Sequence, residues 1–149
     1  DSVVSAGMEN KAFTADVITS GDVVLSDAAE LVYINNGDME NSLTRVVSDM
    51  TGKTDFYQFN WENPVTVNQV VLYNQYAGQA PVAWEVFVTT DGQKWDKVAV
   101  TDNVLWSNDQ LEGKALTFTR QENIIGLRLQ IVDANLIWGA YTIYELEVY

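Results

Sequence analysis

The 149-residue sequence contains no cysteine and no histidine. Without thiols it forms no disulfide, no thiolate nucleophile and no cysteine-based zinc site, and cysteine usage leaves the redox compartment open. Without imidazole it has no Ser-His-Asp triad and no histidine general base. Proline occurs twice, at Pro64 and Pro81, and no low-complexity segment or like-charge tail is present. Basic residues are few and scattered: Lys11, Arg45, Lys53, Lys94, Lys97, Lys114, Arg120 and Arg128. Against them stand 21 acidic residues, for a net charge of −13 and a pI near 4.1. Such a surface repels phosphate backbones and anionic headgroups, so nucleic acid is excluded as a partner and a membrane is disfavoured. It suits neutral ligands, cations or plain solubility. No apolar run approaches the ~18 residues of a bilayer span, and no basic-then-apolar leader opens the chain.

What the sequence has is a core and a period. Apolar residues make up 47% of it, enough for one domain with one core. The dominant pattern is period-2 alternation, the mark of half-buried strands. In residues 56–61, Tyr57, Phe59 and Trp61 share one face while Gln58 and Asn60 take the other. Glu62-Asn63-Pro64 reads as a turn before a strand over 65–74. Strands over 83–90 and 95–100 flank Asp91-Gly92, a hairpin signal because Gly accepts positive φ. Further strands are predicted over 115–119, 126–132 and 142–149, and one or two within 12–35. Residues 26–31 could form one helical turn. Many short strands with turns between them mean an all-β sandwich or barrel.

Strand parity separates the connections into two groups. If the strands alternate in direction, the short turns at 62–64, 91–94 and 120–124 share one end. The longer connections at 42–54, 74–82, 101–114 and 133–141 share the other. A rigid sandwich carries its ligand site on its long loops. These loops hold Tyr76, Trp106, Trp138 and Tyr141, with polar Asn74, Gln75 and Gln79. Aromatic faces beside amides are what a sugar needs, since its C–H face stacks and its hydroxyls pair with planar polar groups. The alternative is that individual aromatics cap the end of the core.

The order of motifs is similar to a known family. Gln69-Val70-Val71-Leu72-Tyr73 leads into Trp84-Glu85-Val86-Phe87-Val88-Thr89-Thr90-Asp91-Gly92-Gln93-Lys94-Trp95. Ile125-Gly126-Leu127-Arg128-Leu129 follows, and the chain closes on Tyr144-Glu145-Leu146-Glu147-Val148-Tyr149. This resembles the coagulation factor 5/8 type C, or discoidin-like, domains, and most of all bacterial family 32 carbohydrate-binding modules, over about residues 30–149. The resemblance implies an antiparallel jelly-roll β-sandwich. It also implies a non-catalytic module, here residues 1–149, excised from a larger secreted or cell-surface glycoside hydrolase and tethered as a monomer to its other domains. Its partner would be a glycan ending in galactose, GalNAc or GlcNAc. Galactose-binding members commonly set a His, an Arg and an Asn against an aromatic. This sequence has no His, and the loop where the Arg would lie reads Asn74-Gln75-Tyr76-Ala77-Gly78-Gln79. On this resemblance the sugar site would use Trp138, Tyr141, Tyr76 or Trp106 for stacking and Asn74, Gln75, Gln79 and Arg45 for hydrogen bonds.

Asn35-Asn36-Gly37-Asp38-Met39-Glu40-Asn41 resembles the family's calcium turn. Ca²⁺ takes six to eight oxygens from carboxylates, amides and backbone carbonyls, and Gly37 allows a tight turn. Asn36, Asp38 and Asn41 would supply ligands, with a carboxylate from the last strand, Glu145 or its same-face neighbour Glu147. Taken without the resemblance, the segment is an ordinary Asn-Gly turn. The loop acids Asp49, Asp102, Asp109, Glu112 and Asp133 show no spacing that argues for a two-carboxylate glycosidase site. A protein-interaction or adhesion module of the discoidin-like type is the other expectation, to be recognised by an apolar patch at the loop tips.

Overall fold

The computed structural model describes residues 9–20, 24–25, 31–39, 44–47, 55–137 and 139–149. Nine strands run through them: β1 (Asp16–Thr19), β2 (Val24–Leu25), β3 (Thr44–Val47), β4 (Phe56–Asn74), β5 (Pro81–Thr89), β6 (Asp96–Thr101), β7 (Glu112–Ala134), β8 (Ala140–Ile143) and β9 (Glu145–Val148). Short 3-10 turns occupy Lys11–Thr14, Leu31–Ile34 and Ala77–Gln79. Every strand pairing is antiparallel. One sheet runs β1-β4-β7-β5-β6, with β9 also on β4, and a second runs β2-β3-β8. The molecule is the antiparallel β-sandwich that the strand pattern predicts. Among the described residues no helix is long and apolar enough to cross a membrane.

The segments 56–61 and 65–74 are not two strands joined by a turn but one long strand, and the same holds for 115–119 and 126–132 within β7. Asn60 pairs with Gly126 and Val65 with Ile124, so the intervening residues of β4 bulge out opposite one residue of β7. Glu62, Asn63 and Pro64 are exposed there. A bulge bends both strands together and lets them pass from one layer to the other without losing their pairing. Pro64 lacks an N–H and tolerates this unpaired stretch. On the β7 side Asn123 takes φ +60°, a left-handed conformation that Asn accepts better than most residues. The last segment breaks as well: β8 pairs with β3, β9 pairs with β4, and Tyr144 between them donates its N–H to Tyr73 O at 2.8 Å.

The core fills the space between the layers. Tyr57, Phe59 and Trp61 from the first half of β4 face Val70 and Leu72 from its second half, with Trp84, Val86 and Val88, then Leu127, Leu129 and Ile131. These are the alternating positions read from the sequence. A smaller cluster of Val71, Tyr73, Tyr144 and Tyr149, flanked by Met39 and Tyr76, covers the outer face of β4 and β9.

Candidate functional site

Three of the four long connections, at 74–82, 101–114 and 133–141, converge as parity predicts and are joined by hydrogen bonds, while most of the fourth, at 42–54, lies outside the described residues. Asn74 ends β4 fully buried. Its Oδ1 accepts from Gln75 N–H at 2.8 Å, and its Nδ2 donates to Gln79 O at 3.2 Å. That folds the 74–80 connection over a 3-10 turn. Residues 134–137 then zip onto it: Asn135 N–H donates to Ala80 O at 2.8 Å, Asn135 Nδ2 to Ala77 O at 2.8 Å, and Ile137 N–H to Gly78 O at 3.0 Å. The 102–111 connection joins the other side, where Val104 N–H donates to Val82 O at 3.0 Å and Trp106 Nε1 to Pro81 O at 2.8 Å. Leu105 stands 83% exposed at the tip and Ile137 65%. The sequence pattern gave no sign of either, because a lone apolar residue in a loop has no periodicity to read.

The candidate sugar residues divide. Gln75 and Gln79 sit half-buried in the 74–80 connection, as does Tyr76. The Tyr76 ring centroid lies 6.2 Å from that of Tyr144, on the outer-face cluster. Trp106 packs instead against the main core, with the Lys114 ammonium 5.4 Å above its ring. Tyr76 thus packs with the outer-face cluster and Trp106 with the main core. Tyr141 is corrected outright: it is fully buried, and its hydroxyl bonds Tyr57 Oη at 2.9 Å and donates to Asp55 Oδ2 at 2.9 Å. It has no open face to stack on a sugar. Burial drives the Tyr141 phenol far above its ordinary range. Asn74 is corrected too, since its amide is spent on the connection it folds. Asp55, buried with Tyr141, escaped the sequence reading because one Asp at a strand start carries no pattern. Arg45 lies on β3 opposite Thr142 of β8, and its side chain is outside the described residues, as are Trp138 and Asn41.

The oxygen-rich turn lies against β9. Gly37 adopts φ +81° and donates its N–H to Glu145 Oε2 at 2.7 Å. Asn36 Oδ1 accepts from Asp38 N–H at 3.0 Å, and Asn35 Nδ2 ties the turn to Ala12 O at 2.8 Å. Of the two carboxylates left open by the sequence, Glu145 is the one that meets the turn. Glu147 Oε1 instead accepts from the Tyr73 and Tyr149 hydroxyls at 3.0 and 3.1 Å. Glu145 is fully buried, and its Oε1 has no hydrogen-bond partner. Burial, with the like charges of Glu147 and Asp38, pushes its carboxyl up to about 8 against the pull of Gly37 N–H. A cation beside it would reverse that shift. Among the described residues no three acidic side chains converge, so a hard cation there would lean on amide and backbone oxygens as well.

No family model matches the sequence, and no curated protein matches it either. Solved structures do. The first family 32 module of a family 31 glycoside hydrolase from Clostridium perfringens superposes with a TM-score of 0.71 at 16% identity, covering 94% of this chain and 98% of that one. A chitosan-binding module of a chitosanase/glucanase from Paenibacillus sp. IK-5 gives 0.70 at 20%, covering 95% and 99%. The family 32 module of Clostridium perfringens NanJ, solved with galactose, gives 0.67 at 11%, covering 91% and 93%. The chain has the fold of these modules.

Proposed function

We propose that this chain is a non-catalytic carbohydrate-binding module of the family 32 type. It holds a terminal sugar of the galactose, GalNAc or GlcNAc class on its long-loop end and thereby targets a larger secreted glycoside hydrolase to its substrate. The observation that carries this reading is the loop end itself. Three connections are pinned to one another by backbone bonds on a fold shared with modules solved bound to GalNAc and to galactose. Pinned loops present polar groups at low entropic cost. Gln75, Gln79, Arg45, Tyr76, Trp106 and Trp138 remain the candidates for contact. Tethering to a parent chain raises effective concentration near the glycan. Glu112, where the 102–111 connection enters β7, supports the non-catalytic side: Ser107 N–H and Lys114 hold its carboxyl below the ordinary range, the wrong direction for a general acid.

Calcium belongs to the same reading. Glu145, Asp38, Asn36 and Asn41 would hold it, with backbone carbonyls of the turn. The orphaned Glu145 Oε1 and the raised carboxyl suit a bound cation. When bound, the ion would cross-link the turn to β9 as a structural element.

A glycan array with the isolated domain, with and without chelator, tests the proposal. Binding to glycans ending in these sugars is expected, and silence across the array in both conditions overturns it. The exposed tips Leu105 and Ile137 favour a second reading, a protein-adhesion module. Leu105→Ser with Ile137→Ser would then abolish adhesion, whereas a sugar module keeps its glycan signal.

A further inference from the structure

A cleft of about 490 Å³ opens where the first 3-10 turn and the start of β1 meet the second 3-10 turn and the residues that follow it. Its walls include Phe13, Ala15, Asp16, Val17, Leu31 and Asn35. The volume lies within the range of small-ligand sites. The aromatic wall is held in place from several sides. Asn10 Oδ1 caps the first turn by accepting from Ala12 N–H at 3.0 Å, and it also accepts from Val148 N–H at 3.0 Å. Trp61 Nε1 donates to Lys11 O at 2.8 Å, and Asn35 Nδ2 donates to Ala12 O at 2.8 Å. Ala12 is fully buried under these bonds, while its neighbour Phe13 is turned outward and stands 57% exposed. A Cβ at Gly37 would come within 3.1 Å of the Phe13 ring, so the glycine lets that ring lie against the oxygen-rich turn.

The polar groups of these walls are acceptors. Asn35 spends its Nδ2 on Ala12 O and, at 3.4 Å, on Ala15 O, which leaves its Oδ1 to accept. Asp16 is exposed, and among the described residues no cation pairs with its carboxylate. Val17 and Leu31 are half-buried and pack against the main core, so they form a firm apolar floor beside the Phe13 ring. Acceptors next to apolar walls call for a ligand that brings donors, positive charge and an apolar body. The net charge of −13 draws cations toward the surface. A lysine side chain meets each demand: its ammonium carries three donors and no acceptor, its four-carbon stem covers apolar surface, and a cation is attracted to the face of an aromatic ring.

We infer that this cleft is a docking site for a lysine side chain of a partner polypeptide. The ammonium meets the Asp16 carboxylate and Asn35 Oδ1 by charge-assisted hydrogen bonds, and the stem lies across Phe13, Val17 and Leu31. None of these residues belongs to the connections at 74–82, 101–114 or 133–141, and none is among the candidate calcium ligands. The site therefore stands independently of the sugar and calcium readings.

The test is a titration of the domain with Nα-acetyl-L-lysine N-methylamide, with its Nε-acetylated form and with D-glucosamine, followed by amide NMR shifts. The lysine probe is expected to move Phe13, Val17 and Asn35 saturably, and the Nε-acetylated form, which lacks the charge, is not. Asp16→Asn should weaken that response about fivefold, the upper end for an ion pair at an exposed site, at unchanged Tm. Phe13→Ser should weaken it as well, through loss of the ring face. No saturable shift, an equal response to the Nε-acetylated form, or full retention in Asp16→Asn overturns the inference. Equal affinity for D-glucosamine, an ammonium without the four-carbon stem, overturns the assignment to lysine. The amides of Gly78, Leu105 and Ile137 report the loop end separately, so failure of one site is distinguishable from failure of the other.

Discussion

At the bend end of the sandwich the backbone holds itself. β4 and β7 carry their pairing around the corner, and the Asp91-Gly92 turn is closed by Asp91 Oδ1 accepting from Gln93 and Lys94 N–H at 2.8 and 2.9 Å. At the loop end the pairing stops, and single groups take over: Asn74, Asn135, Trp106 and the Gly37–Glu145 contact. The bend end is continuous and local in sequence. The loop end is assembled from segments far apart in the chain, each held by two or three bonds. A surface of the first kind tolerates substitution, whereas one of the second kind concentrates its sensitivity in a few residues. That concentration is what a binding surface requires, because its shape is then set by side chains that can differ without changing the sandwich.

Five substitutions or treatments probe the contrast, and the largest effect is expected beneath the loop end. Tyr141→Ala removes a fully buried ring and strands the Asp55 carboxylate; chemical denaturation should show a loss of about 3–5 kcal/mol. Calcium comes next. At a free concentration about one hundred times its Kd it should add about 2.7 kcal/mol to the wild type and far less to Glu145→Gln. The pH dependence has a definite sign. The Glu145 carboxyl is raised in the folded, metal-free state from 4.5 to about 8, so folding favours its protonated form. That stability is complete below 4.5 and is lost as pH rises through about 8. In chelator, Tm of the wild type should therefore fall across this window more steeply than that of Glu145→Gln; parallel slopes would remove the buried carboxyl as the cause. Asn74→Ala leaves Gln75 N–H and Gln79 O unsatisfied and should cost about 2 kcal/mol, with a proportionate loss of glycan binding seen by calorimetry. At the bend, Asn123→Ala forces alanine into a left-handed backbone and should cost about 1 kcal/mol, leaving glycan binding unchanged. If Asn123→Ala disturbed binding as much as Asn74→Ala, the two ends would not be independent.

The sandwich was legible because its signal is redundant. Tyr57, Phe59 and Trp61, then Leu127, Leu129 and Ile131, repeat one period over several strands, and all six point into one core. Parity sorted the connections at 74–82, 101–114 and 133–141 to one end even though the turn at 62–64 is a bulge, since a bent strand and two joined strands reverse direction alike. The candidate site was less legible, because a loop residue's fate depends on contacts distant in sequence. Tyr141 and Tyr76 look equivalent as loop aromatics, yet Tyr141 lies within the short, buried β8 and Tyr76 packs with the outer-face cluster. Asn74 reads as a polar loop residue, yet it is the fastening of its own connection. Glu145 and Glu147 share a face and the pattern does not separate them, whereas the Gly37 N–H meets Glu145 alone.

The ribbon of β4 and β7 also bears on how the chain reaches this state. Its rungs join Asn74 to Glu112 at one extreme and Phe56 to Gln130 at the other, and β5 must insert its own pairing with β7 before the layers can close. Few of these contacts are local, so loop-closure entropy falls ahead of most of the reward. A domain built this way folds in milliseconds to seconds rather than microseconds. In the rate-limiting ensemble the long bent ribbon would already be paired, while the loop end, with its single fastenings, orders afterwards on the downhill side.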